Sequence, residues 1–182
     1  RIYNYGMNLK EELKKILKGD VLDDEEVREK HSRDASIFKI KPQLVVFPRD
    51  TEDLKSLINF IQNNKKGNPS LALTARSGGT DMTGGAIGES IVINFQKYFN
   101  KIHDVVGEKI TVEPGVYYKD FEKKTLERDM IMPSFPASRE ICAIGGMVNN
   151  NAGGEKTLKY GKTEKYVESL NVVLSDGKEY YF

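Results

Sequence analysis

Eight of the sixteen glycines in this 182-residue chain stand as four adjacent pairs, gathered into two clusters. The first runs Arg76-Ser77-Gly78-Gly79-Thr80-Asp81-Met82-Thr83-Gly84-Gly85. The second runs Ile144-Gly145-Gly146-Met147-Val148-Asn149-Asn150-Asn151-Ala152-Gly153-Gly154. Glycine inside a helix or strand costs about 0.5–1 kcal/mol relative to alanine, so regular elements have to be arranged around such stretches. Without a Cβ, glycine reaches positive φ and lets backbone N–H groups converge on an anion, a nest suited to phosphate. One Gly-Gly pair reads most simply as a tight turn. Four pairs, interleaved with Thr80, Asp81, Thr83 and Asn149 to Asn151, present more exposed backbone and more small polar donors than turns require, and two clusters suit a diphosphate. The chain holds neither G-x-x-x-x-G-K-[ST] nor G-x-G-x-x-G, which excludes a P-loop and argues against a Rossmann site.

The apolar pattern places the first cluster. Leu9, Leu13, Ile16 and Leu17 form one helical stripe, predicting a docking helix that Gly19-Asp20 stops. The dense charges from Asp23 to Lys30 read as a solvated helix face. Leu44 to Phe47 reads as a buried strand, followed by a helix with Asp50 or Thr51 as N-cap and Leu54, Leu57, Ile58 and Ile61 on its inner face. Strands are predicted at Leu71 to Thr74 and Ile91 to Ile93, on either side of the glycine run. The loop therefore follows the carboxyl end of a strand, where open α/β sheets bind ligands. Beyond it the pattern changes to a hairpin (Ile102 to Val106, Lys109 to Glu113), then a helix from Tyr117 to Arg128 with Tyr118, Phe121 and Leu126 inward. Met132 to Gly154 lacks periodicity, and Leu170 to Phe182 reads as a hairpin around Asp176-Gly177.

With 28 basic and 27 acidic residues, the formal charge of +1 leaves no excess to neutralise a nucleic-acid backbone. No apolar run approaches the ~20 residues of a membrane span, and Arg1 to Gly6 lacks a secretory leader's apolar core. A single cysteine, Cys142, fits a reducing compartment and cannot build a thiolate metal cage; no metal site is expected. Both histidines, His31 and His103, read as structural. A chain that opens on Arg and stops on a strand reads as a fragment.

Taken in order and spacing, Arg76 to Asp81, Val112-Glu113-Pro114-Gly115-Val116, Ile144-Gly145-Gly146 leading into Asn151-Ala152-Gly153-Gly154, and Tyr160-Gly161-Lys162-Thr163 resemble the flavin domain of the vanillyl-alcohol oxidase / p-cresol methylhydroxylase family. Asp34-Ala35-Ser36 and Pro42 to Arg49 are similar to the opening segment of its D-lactate and glycolate dehydrogenase branch, so the likeness covers roughly residues 30 to 182. It implies an α+β, two-lobed PCMH-type FAD-binding domain: an N-terminal helical segment (1–38), a small parallel β-α-β lobe (39–95), and a lobe with mixed or antiparallel sheet and flanking helices (96–182). The substrate domain lies outside this chain.

The resemblance also implies site residues. Ala75, Arg76, Ser77, Gly78, Gly79, Thr80 and Asp81 would surround the FAD pyrophosphate. Pro114, Gly115 and Val116 would bound the adenine side. Ala137, Ser138, Ile141, Cys142 and Ala143, with Gly145 and Gly146, would run along the adenosine-diphosphate portion, and Asn150, Asn151, Ala152 and Gly153 would return toward the flavin. Thr80 stands where some relatives carry the histidine that attaches flavin covalently, so the FAD is expected to be non-covalent. Arg76 is left open between pairing with pyrophosphate and anchoring the loop to a carboxylate such as Asp81. The implied activity is oxidation of a D-2-hydroxy acid by hydride transfer to FAD, with the catalytic base outside this chain and the chain alone inactive. The implied partners are a small-molecule 2-hydroxy acid and an electron acceptor, with a homodimer allowed. The implied location is cytoplasmic, with peripheral contact at the inner membrane face allowed. The alternatives are a nucleotide- or FAD-binding module without turnover and an enzyme similar to UDP-N-acetylenolpyruvoylglucosamine reductase on the same fold.

Overall fold

The computed structural model describes residues 8–182; the stretch from Arg1 to Gly6 discussed above lies outside the described residues. Helix α1 (Leu9–Ile16) is capped by the Asn8 side chain, which accepts from the Glu11 N–H, and its first and last turns carry acidic and basic residues that suit the helix dipole. Leu13 and Leu17 are buried, whereas Ile16 is turned outward. A short strand, β1 (Asp20–Leu22), follows, and its three residues are too few for any periodicity to announce it in the sequence. Helix α2 (Glu25–Lys30) buries no residue, as its charge density predicts.

Strand β2 (Leu44–Phe47), helix α3 (Thr51–Asn64), strand β3 (Leu73–Arg76) and strand β4 (Ile91–Asn94) build the first sheet, in the order β1-β2-β4-β3. β4 lies parallel to both β2 and β3, and β1 closes the far edge antiparallel to β2. The third strand starts at Leu73, two residues later than the apolar run suggests, because the Leu71 N–H closes a turn onto the Asn68 carbonyl before the ladder with Ile91 begins. Leu13, Leu17, Val21, Leu44, Val46, Leu57, Ile91 and Ile93 form one core. Truncating the fully buried Leu57 to alanine there would cost about 2–5 kcal/mol. The buried Asp53 staples the start of α3 to the α1–β1 turn: its carboxylate accepts from the backbone N–H groups of Lys18, Gly19 and Arg49 at 2.8–2.9 Å.

A second core gathers Val116, Tyr118, Phe121, Phe135, Cys142, Ile144 and Met147. It packs beneath a hairpin of β5 (Ile102–Val106) and β6 (Lys109–Val112), beside helix α4 (Tyr118–Leu126). Two expectations change here. Leu126 is 53% exposed, because the inward face of α4 runs through Tyr118, Phe121, Glu122 and Thr125, one residue short of it. Glu122 is tolerated inside because Arg139 and the Tyr118 hydroxyl bond to it. The stretch read as lacking periodicity contains helix α5 (Ile144–Asn149), which runs through the second glycine cluster. Helix α6 (Thr157–Tyr160), a 3₁₀ turn (Thr163–Tyr166) and a hairpin of β7 (Asn171–Val173) and β8 (Glu179–Tyr181) complete the described chain.

Candidate functional site

β3 and β4 are hydrogen-bonded neighbours, so the chain leaves one, loops over the carboxyl edge of the sheet and re-enters beside it. That connection carries the first glycine cluster. Among the described residues, the backbone N–H groups of Ser77, Gly78, Gly79, Thr80 and Asp81 find no protein acceptor. These five amides are partly exposed, so they are free to donate to an acceptor from outside the protein. Gly79 has φ +66°, and a Cβ there would stand 2.3 Å from the Arg76 guanidinium, which lies directly against it. Arg76 donates to the Ala86 carbonyl at 3.2 Å. Burial lowers its pKa and the charge of Asp34 opposes this, yet a guanidinium remains cationic.

Asp81 is held otherwise than by Arg76. Its Oδ2 accepts from the Thr83 hydroxyl at 2.7 Å and the Gly85 N–H at 2.6 Å, and its Oδ1 accepts from Asn150 Nδ2 at 3.0 Å. Among the described residues Arg76 makes no bond to Asp81, and the carboxylate whose charge acts on Arg76 is that of Asp34. Burial pushes the Asp81 carboxyl up, but the bonds from Thr83, Gly85 and Asn150 outweigh burial and hold it below its ordinary range.

The Asn150–Asp81 bond joins the two glycine clusters. A second junction lies at Gly78, where a Cβ would come within 2.7 Å of the Ile141 carbonyl and 3.2 Å of the Ala143 nitrogen. A third links Ser77, whose hydroxyl donates to the Pro114 carbonyl at 3.1 Å, to the segment Pro114-Gly115-Val116. The same carbonyl accepts from the Gly145 N–H, and the Val116 carbonyl from the Ile144 N–H. The structure thus brings the four sequence segments expected to form one site into contact around the loop.

Within the second cluster the amides are largely engaged. The N–H groups of Met147, Asn150, Asn151 and Ala152 close α5 and its final turn, and the Gly154 N–H donates to the Thr157 hydroxyl. Asn151 exchanges two side-chain bonds with Glu164, and the buried Thr163 hydroxyl donates to the Ala152 carbonyl. Ala137 is exposed, and the Ser138 carbonyl accepts from both Ile141 and Cys142, turning the Ile141 side chain outward. Cys142 faces the second core, and burial pushes its thiol up, against a weaker pull from Ser138. Only the backbone of Cys142 is on offer, and its thiol is unsuited to covalent attachment.

His31 is a buried core residue. Its Nδ1 donates to the Val27 carbonyl at 2.7 Å and its Nε2 accepts from Asn94 Nδ2 at 2.9 Å, which fixes the neutral tautomer; burial lowers its pKa. His103 is exposed on β5. Among the described residues no cluster of metal-ligating side chains occurs, and no helix is long and apolar enough to cross a membrane. Two neighbours of the site escape a sequence reading: Asn94, which anchors His31 beside the loop, and Gln96, two residues past the end of β4. Their signal is position alone, at the carboxyl end of the strand next to the glycine loop.

Comparison with known proteins identifies the family and the fold. Residues 42–180 match the family described as an FAD binding domain. The chain is 31% identical over 143 residues to glycolate oxidase subunit GlcD of Bacillus subtilis, covering 77% of this chain and 29% of that protein. It is 33% identical over 137 residues to a D-lactate dehydrogenase of Archaeoglobus fulgidus (74% and 30%), and 30% identical over 148 residues to D-2-hydroxyglutarate dehydrogenase of Escherichia coli (80% and 14%). It spans less than a third of the length of each of these curated relatives. Among solved structures, 6-hydroxy-D-nicotine oxidase from Arthrobacter nicotinovorans superposes with a TM-score of 0.77 at 21% identity, over 91% of this chain and 36% of that one. That likeness extends to the fold.

Proposed function

The chain belongs to the FAD binding domain family, its cofactor is FAD, and on that premise we propose that it is the cofactor domain of a longer oxidoreductase acting on a D-2-hydroxy acid. The observation that carries the reading is the row of amides from Ser77 to Asp81 without a protein acceptor, backed by the half-buried guanidinium of Arg76. Converging N–H groups and a fixed cation are what a pyrophosphate needs. Such a row fits the diphosphate of FAD without any further side chain.

In this reading the glycine loop and Thr80 grip the pyrophosphate. The segment from Ala137 to Gly146 flanks the adenosine diphosphate, and Asn150 to Gly153 stands nearer the flavin. Thr80 lacks the imidazole of the histidine that attaches flavin in some relatives, and the Cys142 thiol is buried, so the cofactor is held without a covalent link. When bound, the flavin supplies a two-electron acceptor for oxidation of the alcohol carbon. This chain's part is to bind, orient and shield the cofactor; the base that takes the hydroxyl proton belongs to a substrate-binding part beyond it. The substrate class rests on the names of the relatives, which act on glycolate, D-lactate and D-2-hydroxyglutarate.

The test is a titration with FAD, followed by flavin fluorescence and thermal melting, with FMN and NAD as controls. Saturable binding selective for FAD is expected, with stabilisation of about 2.7 kcal/mol at a hundredfold excess over Kd. Equal affinity for FMN would overturn the placement of the dinucleotide. The same chain is expected to show no turnover of D-lactate with an artificial acceptor, and measurable turnover would refute the division of labour.

A further inference from the structure

The motif Asp34-Ala35-Ser36 has no part in the site described above, yet its segment lies against the glycine loop. The stretch from Ser32 to Ile40 closes on itself, with the Ile40 N–H donating to the Ser32 carbonyl at 2.9 Å. Inside it Asp34 Oδ1 accepts from the Ser36 N–H at 2.9 Å, and Ser36 Oγ accepts from the Phe38 N–H at 3.2 Å. Both side chains meet the returning limb of the loop: a Cβ at Gly84 would come 3.1 Å from the Phe38 ring and 3.9 Å from Ser36 Oγ. The other oxygen of Asp34, Oδ2, is sealed from solvent and has no hydrogen-bond partner. A sealed carboxylate oxygen without a donor is costly, and a nearby cation offsets that cost. Arg76 is the cation concerned, since the charge of Asp34 acts on it. Its guanidinium lies inside the loop, against Gly79 on the outgoing limb and bonded to the Ala86 carbonyl on the returning limb. That is its one protein acceptor among the described residues. A half-buried guanidinium so lightly bonded turns outward to water unless a counter-charge retains it. His31, whose ring also feels the Arg76 charge, is neutral and cannot serve.

We propose that Asp34 is a positioning residue for the cofactor's diphosphate: its carboxylate keeps the Arg76 guanidinium inside the glycine loop, where the cation meets the anion that the amides of Ser77 to Asp81 receive. The inference rests on the FAD reading above and adds to it a residue outside the loop that sets the loop's charge. No hydrogen bond joins the two side chains, so the attraction depends on the charge of the carboxylate. That gives the proposal a sign. Acting directly on the diphosphate, Asp34 would repel it, and its removal would tighten binding; acting through Arg76, its removal loosens binding.

Calorimetric titration with FAD, ADP and FMN tests it, on the wild-type chain, Asp34→Asn, Asp34→Glu, Arg76→Gln and the double variant, with the melting temperature of each recorded. Asp34→Asn keeps an oxygen for the Ser36 N–H and removes the charge; it should weaken FAD and ADP by about tenfold. Asp34→Glu, which restores the charge, should recover most of that loss. Arg76→Gln should weaken both ligands at least as much. Adding Asp34→Asn to it should change neither affinity further, because the residue through which Asp34 acts is gone. Asp34→Ser, which can also accept from the Ser36 N–H, repeats the comparison should Asp34→Asn fail to fold. Tighter or unchanged FAD binding by Asp34→Asn, an equal loss in the Arg76→Gln background, or an Asp34→Glu variant as weak as Asp34→Asn overturns the proposal while leaving the FAD reading intact. Equal wild-type affinity for FAD and FMN, or no nucleotide binding by the folded chain, overturns the FAD reading and this inference with it.

Discussion

The two glycine clusters look alike in sequence and differ in what their backbones do. In the loop after β3, the amides of Ser77 to Asp81 have no acceptor within the described protein, and Gly79 holds φ at +66°. In the cluster from Ile144 to Gly154 most amides bond to carbonyls of the same segment, and Gly145 and Gly146 sit in the opening turn of α5. Richness in glycine therefore does not define a nest; what the surrounding chain leaves unbonded does. The first cluster can close around an anion, and the second supplies a wall held against it by Asn150.

Substitutions at single glycines separate these roles. The largest effect is expected at Gly79→Val. A β-branched residue resists the left-handed region at a cost of about 1–3 kcal/mol and intrudes on the amide row, so FAD binding should disappear while the chain still folds. Retained affinity in a titration would remove the loop from the site. Next comes Gly78→Ala, whose Cβ would press on the Ile141 carbonyl and force the loop away from the segment Ile141-Cys142-Ala143. Overpacking of this kind costs about 1–3 kcal/mol, to be read as a lower melting temperature together with weaker FAD binding.

Gly146→Ala sharpens the contrast by its sign. A Cβ at Gly146 meets nothing within 4 Å, and alanine in a helix is favoured by about 0.5–1 kcal/mol. The apo chain should melt higher; if the space beside Gly146 belongs to the adenosine diphosphate, FAD affinity should fall at the same time. A rise in stability with unchanged affinity would make the second cluster purely structural. The smallest effect concerns the bridge itself. Because the Asp81 carboxyl is held below its ordinary value, its bonds stabilise the folded loop above about pH 4, the ordinary range of an aspartate, and lose that contribution as pH falls through the lowered folded value. Asn150→Ala should reduce the acid sensitivity of the melting temperature, and an unchanged pH profile would show that the bridge contributes nothing.

Much of this was legible beforehand. The alternation of apolar runs and glycine placed β2, α3 and the loop, because period and punctuation are local properties. Pro114, Ala143 and Gly145 were associated with the loop only through resemblance, since their meeting at Ser77 and Gly78 is a matter of tertiary packing that spacing does not encode. α5 escaped because the glycines that disfavour a helix are overridden by Ile144 and Met147 packing into the second core.

The placing of β4 between β2 and β3 has a consequence for motion. Among the described residues β3 has β4 as its only neighbour in the sheet, so the strand that leads into the glycine loop cannot detach without opening the ladder at which the loop ends. Strand pair and loop should therefore behave as one opening unit in hydrogen exchange. A ligand clamped by the loop would slow exchange at Ile93 and Phe95, in the ladder below the loop, as well as at the amides it touches.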